Sequence, residues 1–415
     1  MSATQSILAA VVWVCFAAVF YAYFGYPVLI GCLARLVGRR RIPPALRDDE
    51  LPTVSLLIAA YNEEAVIEER LRNALATDYP KEKWEVVVAT DGCSDRTVEM
   101  VRRFAGRGVR LLESPQRRGK AATLNVALEQ VKGEVVIFSD ANTFNEPSAA
   151  RNLARWFQDP GVTAVCGRLV LRDPETGRNA DSLYWKYETF LKRSEGRLGA
   201  LLGANGGIYA IRKSRHVPIP SGTILDDLVL PLLARLNNGG DIIYDPEAIA
   251  HEETAAGVGA EFHRRSRIGA GGFDSVGLLA GLLNPRQGWL FFTFLSHKLL
   301  RWCCPFFLLA LLLSNALLWE VPFYRQLLLA QVGFYATSLA VAYIPGQFKA
   351  LKLLRLTTMF TSMNGALLVG FCRWLRKTQT VTWKRTARLA EVQPVGPVVA
   401  PVGASAQAIP QQSAA

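Results

Sequence analysis

The chain runs to 415 residues with a formal net charge of +12, long enough for one sizeable soluble domain plus a second kind of structure. Half of its residues are apolar and many of the basic ones flank apolar runs, so the charge reads as membrane orientation and headgroup contact, not as a nucleic-acid footprint. Seven cysteines without C-x-x-C spacing and only four histidines argue against a disulfide framework and a zinc site, and fit free thiols in a reducing compartment.

In chain order, Ile7–Val37 can cross a bilayer as one helix, bent at Pro27, and is too long and aromatic for a cleaved signal peptide. Arg35, Arg39, Arg40, Arg41 and Arg47 follow it and no charge precedes it. That asymmetry predicts an outside N-terminus and a cytoplasmic domain beyond the Pro43–Pro44 linker. Three apolar β-type runs follow, Val54–Ala59, Glu85–Thr90 and Glu134–Phe138. Between them, Val66, Ile67, Leu71 and Leu75, then Thr97, Met100, Val101 and Phe104, have helical spacing. Such alternation predicts a parallel sheet covered on both faces, with ligands beyond the carboxyl ends of its strands, where Asn62, Asp91, Asp95 and Asp140 gather.

Val162–Cys166 reads as a further strand, ending the α/β pattern near Gly167. A helix over Asn179–Arg197, the glycine-rich Leu201–Tyr209, a helix within Thr223–Arg235 and a strand over Asp241–His251 come next. Phe262–Leu283 suits an amphipathic element at the membrane surface. Three long apolar segments, 291–319, 323–344 and 355–375, precede a basic stretch and a Pro-, Ala- and Gln-rich tail expected to be disordered. If all three cross, the basic stretch ends outside, against the positive-inside rule, so either orientation stays open.

The strand ends carry the chemistry. The carboxylates of Asp91-Gly92-Cys93-Ser94-Asp95 can accept hydrogen bonds from a base or ribose, or merely cap the next helix. Lys120 opens a helix, where a cation gains nothing from the macrodipole, so pairing with a carboxylate or diphosphate is the sharper reading. Asp140 and Asn142, two residues apart, can share a hard divalent cation that offsets charge on a leaving diphosphate. Asp226 and Asp227 are adjacent carboxylates whose pKa values can be pushed apart, and Asp227 is the candidate general base, the bland alternative being a helix cap. The arginines of Arg264-Arg265-Ser266-Arg267 can grip phosphates bidentately or form a membrane-surface patch.

Taken together, A-x-Y-N-E-E (Ala59–Glu64), D-G-C-S-D (Asp91–Asp95), G-K-x-x-x-L-N (Gly119–Asn125), S-D-A-N (Ser139–Asn142), G-A-N-G (Gly203–Gly206) and L-D-D (Leu225–Asp227) resemble membrane-embedded family 2 glycosyltransferases. These are inverting enzymes related to cellulose, chitin, hyaluronan and poly-N-acetylglucosamine synthases. The resemblance covers roughly residues 50–275 and implies an α/β GT-A domain (nucleotide-diphospho-sugar transferase fold) set between transmembrane helices. It implies a membrane segment over 1–41, the transferase domain over 50–257, an interface segment over 258–289, about three spans over 290–376 and a tail over 377–415. It further implies a donor held by Ala59, Tyr61, Glu63, Asp91, Asp95, Lys120, Asp140, Arg264 and Arg267, with Asp91 and Asp95 at the nucleoside. Mg²⁺ or Mn²⁺ would sit at Asp140 and Asn142, and Asp227, beside Asp226, would be the base.

Two departures stand out. Asn142 replaces the usual second aspartate of the metal motif, and Arg264 and Ile268 stand where processive synthases carry Gln and Trp. Isoleucine offers no stacking face to an acceptor sugar. The expectation is therefore an inner-membrane enzyme moving a sugar, most simply from a UDP-linked donor, to a lipid-linked or growing glycan. A processive, exporting synthase, a ceramide-type lipid glucosyltransferase and a degenerate, non-catalytic membrane partner are the alternatives. Nucleotide sugar, acceptor and membrane lipids are the expected partners.

Overall fold

The computed structural model describes residues 1–172, 183–253, 258–344 and 354–380. Its centre is an eight-stranded sheet of β1 (Val54–Ala60), β2 (Trp84–Asp91), β3 (Val109–Ser114), β4 (Val135–Asp140), β5 (Thr143–Asn145), β6 (Val162–Arg172), β7 (Tyr209–Arg212) and β8 (Asp241–Glu253). The strand order is β3-β2-β1-β4-β7-β6-β8-β5. All seven residues of β1 are buried, as expected for a strand covered on both faces. Its side chains alternate between two layers. Leu56 and Ile58 pack with Ile67 and Leu71 of α3 (Ile67–Leu75), whereas Leu57 and Ala59 pack with Leu124 and Leu128 of α5 (Lys120–Gln130). Each such buried Leu or Ile contributes about 1.5–3 kcal/mol. The short helices α4 (Thr97–Arg102) and α6 (Ala149–Ala154) complete the first layer, and α8 (Asp226–Asn238) joins the second.

The register positions the site. Ala59 lies level with Ala89 on one side and Asp140 on the other, so β1, β2 and β4 release their chains at the same end. Two expectations need correction. The sheet is mixed, because β7 runs antiparallel to both β4 and β6, and β5 antiparallel to β8. The α/β pattern also does not stop at Gly167: β6 continues to Arg172 through a register shift there, where a side chain would meet the Ala248 carbonyl oxygen at 2.7 Å. That glycine reads as a terminator but serves as a bulge.

Outside the sheet, α1 (Ala3–Phe20) and α2 (Tyr26–Leu36) are joined by a π-helical turn, Tyr21–Gly25, just ahead of Pro27. α10 (Trp289–Thr293) joins α11 (Leu300–Leu317) through a second one, Phe294–Leu299. Ala3–Leu36 and Trp289–Leu317, with mean hydropathies of 2.3 and 1.6, are the two described helical runs long and apolar enough to cross a membrane. Trp13, Phe16, Phe20 and Phe24 are exposed along the first. α12 (Pro322–Ala342) and α13 (Arg355–Leu375) form over the anticipated apolar segments but fall short of that apolarity among the described residues. α13 instead packs on α9 (Val258–Leu278), so closely that a side chain at Gly370 would lie 2.6 Å from the Ser266 carbonyl oxygen. The expected disordered tail lies outside the described residues.

Candidate active site

Beyond β1 and β2 two loops are knitted together. Asn62, at a positive φ of 53° that asparagine tolerates better than most residues, accepts the Ser94 N–H at Oδ1 (2.8 Å) and donates from Nδ2 to Ser94 Oγ (3.0 Å). Asp95 Oδ1 accepts the Thr97 N–H at 3.0 Å and its Oδ2 the Glu64 N–H at 3.1 Å, while the Glu63 N–H donates to Thr97 Oγ1 (2.8 Å). Asp91 is wholly buried, and its two oxygens accept the N–H groups of Arg118 (2.6 Å) and Gly119 (3.0 Å). Its carboxylate thus shapes the 117–119 loop. Gly92, at φ 65°, lets that loop close, since a side chain there would lie 2.7 Å from the Arg117 nitrogen. The Arg117 guanidinium in turn stacks 3.8 Å above the ring of Tyr61. Ala59 is buried inside the sheet with Leu57 and Ala89, so it presents no side chain to the cleft.

The carboxylates converge on Lys120. Its Nζ lies 2.9 Å from Asp140 Oδ1 and 3.1 Å from Asp226 Oδ2. Burial disfavours the ammonium, but Asp140, Asp226 and Asp227 outweigh that and hold its pKa well above the usual lysine range. Asp226 is buried, and desolvation lifts its pKa against the pull of Lys120. Asp227 is half-buried, so the two adjacent carboxylates differ in exposure. Both begin α8, where the helix N-terminus favours negative charge. Gly206 borders the space between the carboxylates: a Cβ there would stand 3.4 Å from Asp227 Oδ2 and 3.7 Å from Asp140 Oδ2.

Asn142 donates from Nδ2 to Glu252 Oε1 at 3.2 Å, turning its amide oxygen the other way. Burial and the nearby Asp140 push Glu252 up to about 7. Among the described residues no three His, Cys, Asp or Glu side chains group into a metal cage. One carboxylate and one amide oxygen nevertheless fit a hard divalent cation that completes its shell with water and phosphate oxygens.

α9 brings up the arginines unequally. Arg264 turns to Glu261, with Nε and Nη2 donating to its carboxylate at 2.8 and 3.0 Å. Arg265 also pairs with Glu261 and lies over the Tyr184 ring at 4.7 Å. Arg267 is half-buried within the field of Asp226, Asp140 and Asp227, and burial draws its pKa below the usual arginine range.

Sequence reasoning missed Arg70 and Glu252. Arg70 lies fully buried under the end of β4, and its signal was legible: it falls on the same face of α3 as Ile67, Leu71 and Ala74. Glu252 had no signal, because β5 and its pairing with β8 were not foreseen.

Residues 55–214 match the glycosyl transferase family 2 model. The poly-β-1,6-N-acetyl-D-glucosamine synthase of Staphylococcus aureus is 29% identical over 244 residues, covering 56% of this chain and 57% of that protein. Its Staphylococcus epidermidis counterpart is 26% identical over 234 residues, covering 53% and 55%. The chain thus spans a little over half the length of these curated relatives. A mannosyltransferase from Pyrobaculum calidifontis, solved with GDP-Man and Mn²⁺, superposes with a TM-score of 0.68 over 89% of this chain and all of that one, at 22% identity. The mixed sheet with flanking helices is a GT-A-like fold.

Proposed function

We propose that this chain, a glycosyltransferase by its family 2 domain, is an inverting enzyme of the membrane. It moves a sugar from a UDP-linked donor to a hydroxyl of a lipid-linked or growing glycan. The observation that carries the reading is the Lys120 ammonium held between Asp140 and Asp226, with Asp227 on the same gap. One half-buried carboxylate is thereby left to act as base while a fixed cation faces the leaving group.

The donor diphosphate meets Lys120 and Arg267, whose charges are in place before the reaction and need no reorganisation as negative charge grows. The acceptor oxygen attacks the anomeric carbon as the bond to the diphosphate breaks. Asp227 takes the acceptor proton, and the single displacement inverts the anomeric centre. Asp140 and Asn142 would hold a divalent cation, Mg²⁺ or Mn²⁺, which when bound would supply Lewis-acid charge to the leaving diphosphate. The Mn²⁺ with which the P. calidifontis mannosyltransferase was solved supports a metal of this class.

The names of the staphylococcal relatives favour an N-acetylhexosamine donor and a polysaccharide product. The apolar runs Ala3–Leu36 and Trp289–Leu317 support a multi-pass protein with its transferase domain in the cytoplasm, the side that Arg35 to Arg47 favour. Hydrolysis of a nucleotide-sugar panel in nanodiscs, with Mg²⁺ or Mn²⁺ and with or without membrane lipid extract, tests the proposal. UDP release from one sugar, raised by lipid, is expected. Silence across the panel, together with no metal-dependent UDP binding by calorimetry, would leave the degenerate reading in its place.

A further inference from the structure

Helix α7 (Leu183–Arg197) carries buried polar groups that the proposed reaction does not use. Toward the apolar helices, Tyr26 O–H donates to Glu195 Oε1 at 2.7 Å, and His297 Nδ1 lies 2.6 Å from the same oxygen. Arg301 Nη1 donates to Glu188 Oε1 at 2.5 Å. Tyr187 O–H reaches the Tyr23 carbonyl oxygen at 3.4 Å, which Pro27, four residues on, has no N–H to bond.

Toward the active site the same helix sends Lys192. Its Nζ donates to Asn205 Oδ1 and, at 3.4 Å, to the Ala204 carbonyl oxygen, while Asn205 Nδ2 donates to the Gly167 carbonyl oxygen at 2.7 Å. The Ala204 N–H then donates to the carbonyl oxygen of Asp227 at 2.9 Å. That acceptor is free for the same reason as before: Pro231 lies inside α8 four residues after Asp227 and lacks the N–H that would bond it. Gly203, at φ 77°, makes the approach possible, because a Cβ would lie 2.9 Å from Leu228 Cα. The 203–206 loop is thus keyed onto the first turn of α8 by a proline-freed carbonyl and strapped down by a lysine.

We propose that Lys192 is a positioning residue, which holds the 203–206 loop against α8 and so fixes Asp227 relative to Asp140 across the gap bordered by Gly206. This rests on the reading of Asp227 as the base. Lys192 touches no reacting atom; it acts through Asn205 and Ala204. Misplacing a catalytic group by about an ångström can cost about a hundredfold in rate, so a strut of this kind sets kcat and not donor affinity. Because α7 is also tied to Tyr26, His297 and Arg301, one helix links the apolar runs to the catalytic loop.

The test compares Lys192→Met, Lys192→Arg and Pro231→Ala in the full-length protein. Hydrogen exchange at the Ala204 amide is read without substrate, and kcat and the KM for the nucleotide sugar are read with it. Lys192→Met should speed Ala204 exchange about tenfold or more and lower kcat by a similar factor, with KM within twofold and Lys192→Arg recovering most of the loss. Pro231→Ala restores a competing N–H inside a helix that still forms, and should speed Ala204 exchange several-fold. Exchange within twofold of wild type in Lys192→Met or Pro231→Ala overturns the inference, as does an Arg variant no better than Met. The exchange arm needs no activity, so turnover retained by Asp227→Asn would remove Asp227 as the base while leaving the loop result standing.

Discussion

Arg70 Nη2 donates to Ser139 Oγ at 3.0 Å, which sets a fully buried guanidinium directly beneath the strand end that carries Asp140. Its Nη1 donates to Asn73 Oδ1 at 2.8 Å, while its Nε finds no partner. Burial brings its pKa down to about 9, with Asp140 pulling the other way. Arg70→Met keeps most of the volume but takes the guanidinium donors from Ser139 Oγ and Asn73 Oδ1, of which Asn73 retains the Asn145 N–H. The variant should lose about 1–3 kcal/mol in chemical denaturation. An unchanged midpoint would show that this guanidinium does not support the strand end.

Asp227→Asn should reduce transfer by a factor of about 10²–10⁴ while leaving UDP affinity intact, because only the proton acceptor is lost. Calorimetry with UDP and Mn²⁺ alongside single-turnover assays checks both halves. Near-normal turnover would take Asp227 out of the role.

Gly206→Ala probes the gap itself. The backbone there is not in the left-handed region, and the nearest atoms to the added methyl are Asp227 Oδ2 at 3.4 Å, Asp140 Oδ2 at 3.7 Å and Asp227 Cβ at 3.7 Å, ordinary contact distances. The variant should therefore fold with an unchanged melting temperature and lose about tenfold or more in kcat/KM. Wild-type turnover would mean that substrate does not pass between these two carboxylates.

Glu252 gives a pH dependence in metal-free buffer. Burial, helped by Asp140 and opposed by Arg264 and Lys120, lifts its pKa from 4.5 to about 7. The folded state holds that proton more tightly than the unfolded chain, so its contribution is complete below the unfolded value and is lost as pH rises through about 7. Stability should fall by on the order of 1–3 kcal/mol between about pH 5 and about pH 8, and Glu252→Gln should flatten that slope. Parallel slopes for the two proteins would assign the dependence elsewhere.

The three strand ends were legible because β1, β2 and β4 are almost wholly apolar, β2 and β4 stop at Asp91 and Asp140, and β1 is followed two residues on by Asn62. The edge strand β3 was not: Val-Arg-Leu-Leu-Glu-Ser is half-buried, without the continuous apolar signature that marked its neighbours. The reversal at β7 was equally hidden, since four residues carry no mark of strand direction. Lys120 was singled out for want of a dipole partner, and the paired carboxylates answer that. The hydrogen-bond partners of Asp91 escaped a local reading because they come from a loop 27 and 28 residues away. No composition rule signals that Pro231 leaves a carbonyl for Ala204, although the proline itself was in plain view.

The two π-helical turns, Tyr21–Gly25 and Phe294–Leu299, meet where Tyr21 Oη and Ser296 Oγ lie 3.0 Å apart. A turn closed five residues on holds one residue more than its α-helical equivalent, so everything beyond it is rotated by about 100°. Ala9 and Val12 face Leu318 and Tyr324, and the row of Phe16, Phe20 and Phe24 faces outward, only with that offset in place. Removing a single residue from Tyr21–Gly25 would leave a run just as apolar and just as able to cross a bilayer. It would nevertheless turn the wrong side of α1 toward its partners. At this junction, fit is decided by arithmetic along the chain, and a screen that tests only substitutions would pass over it.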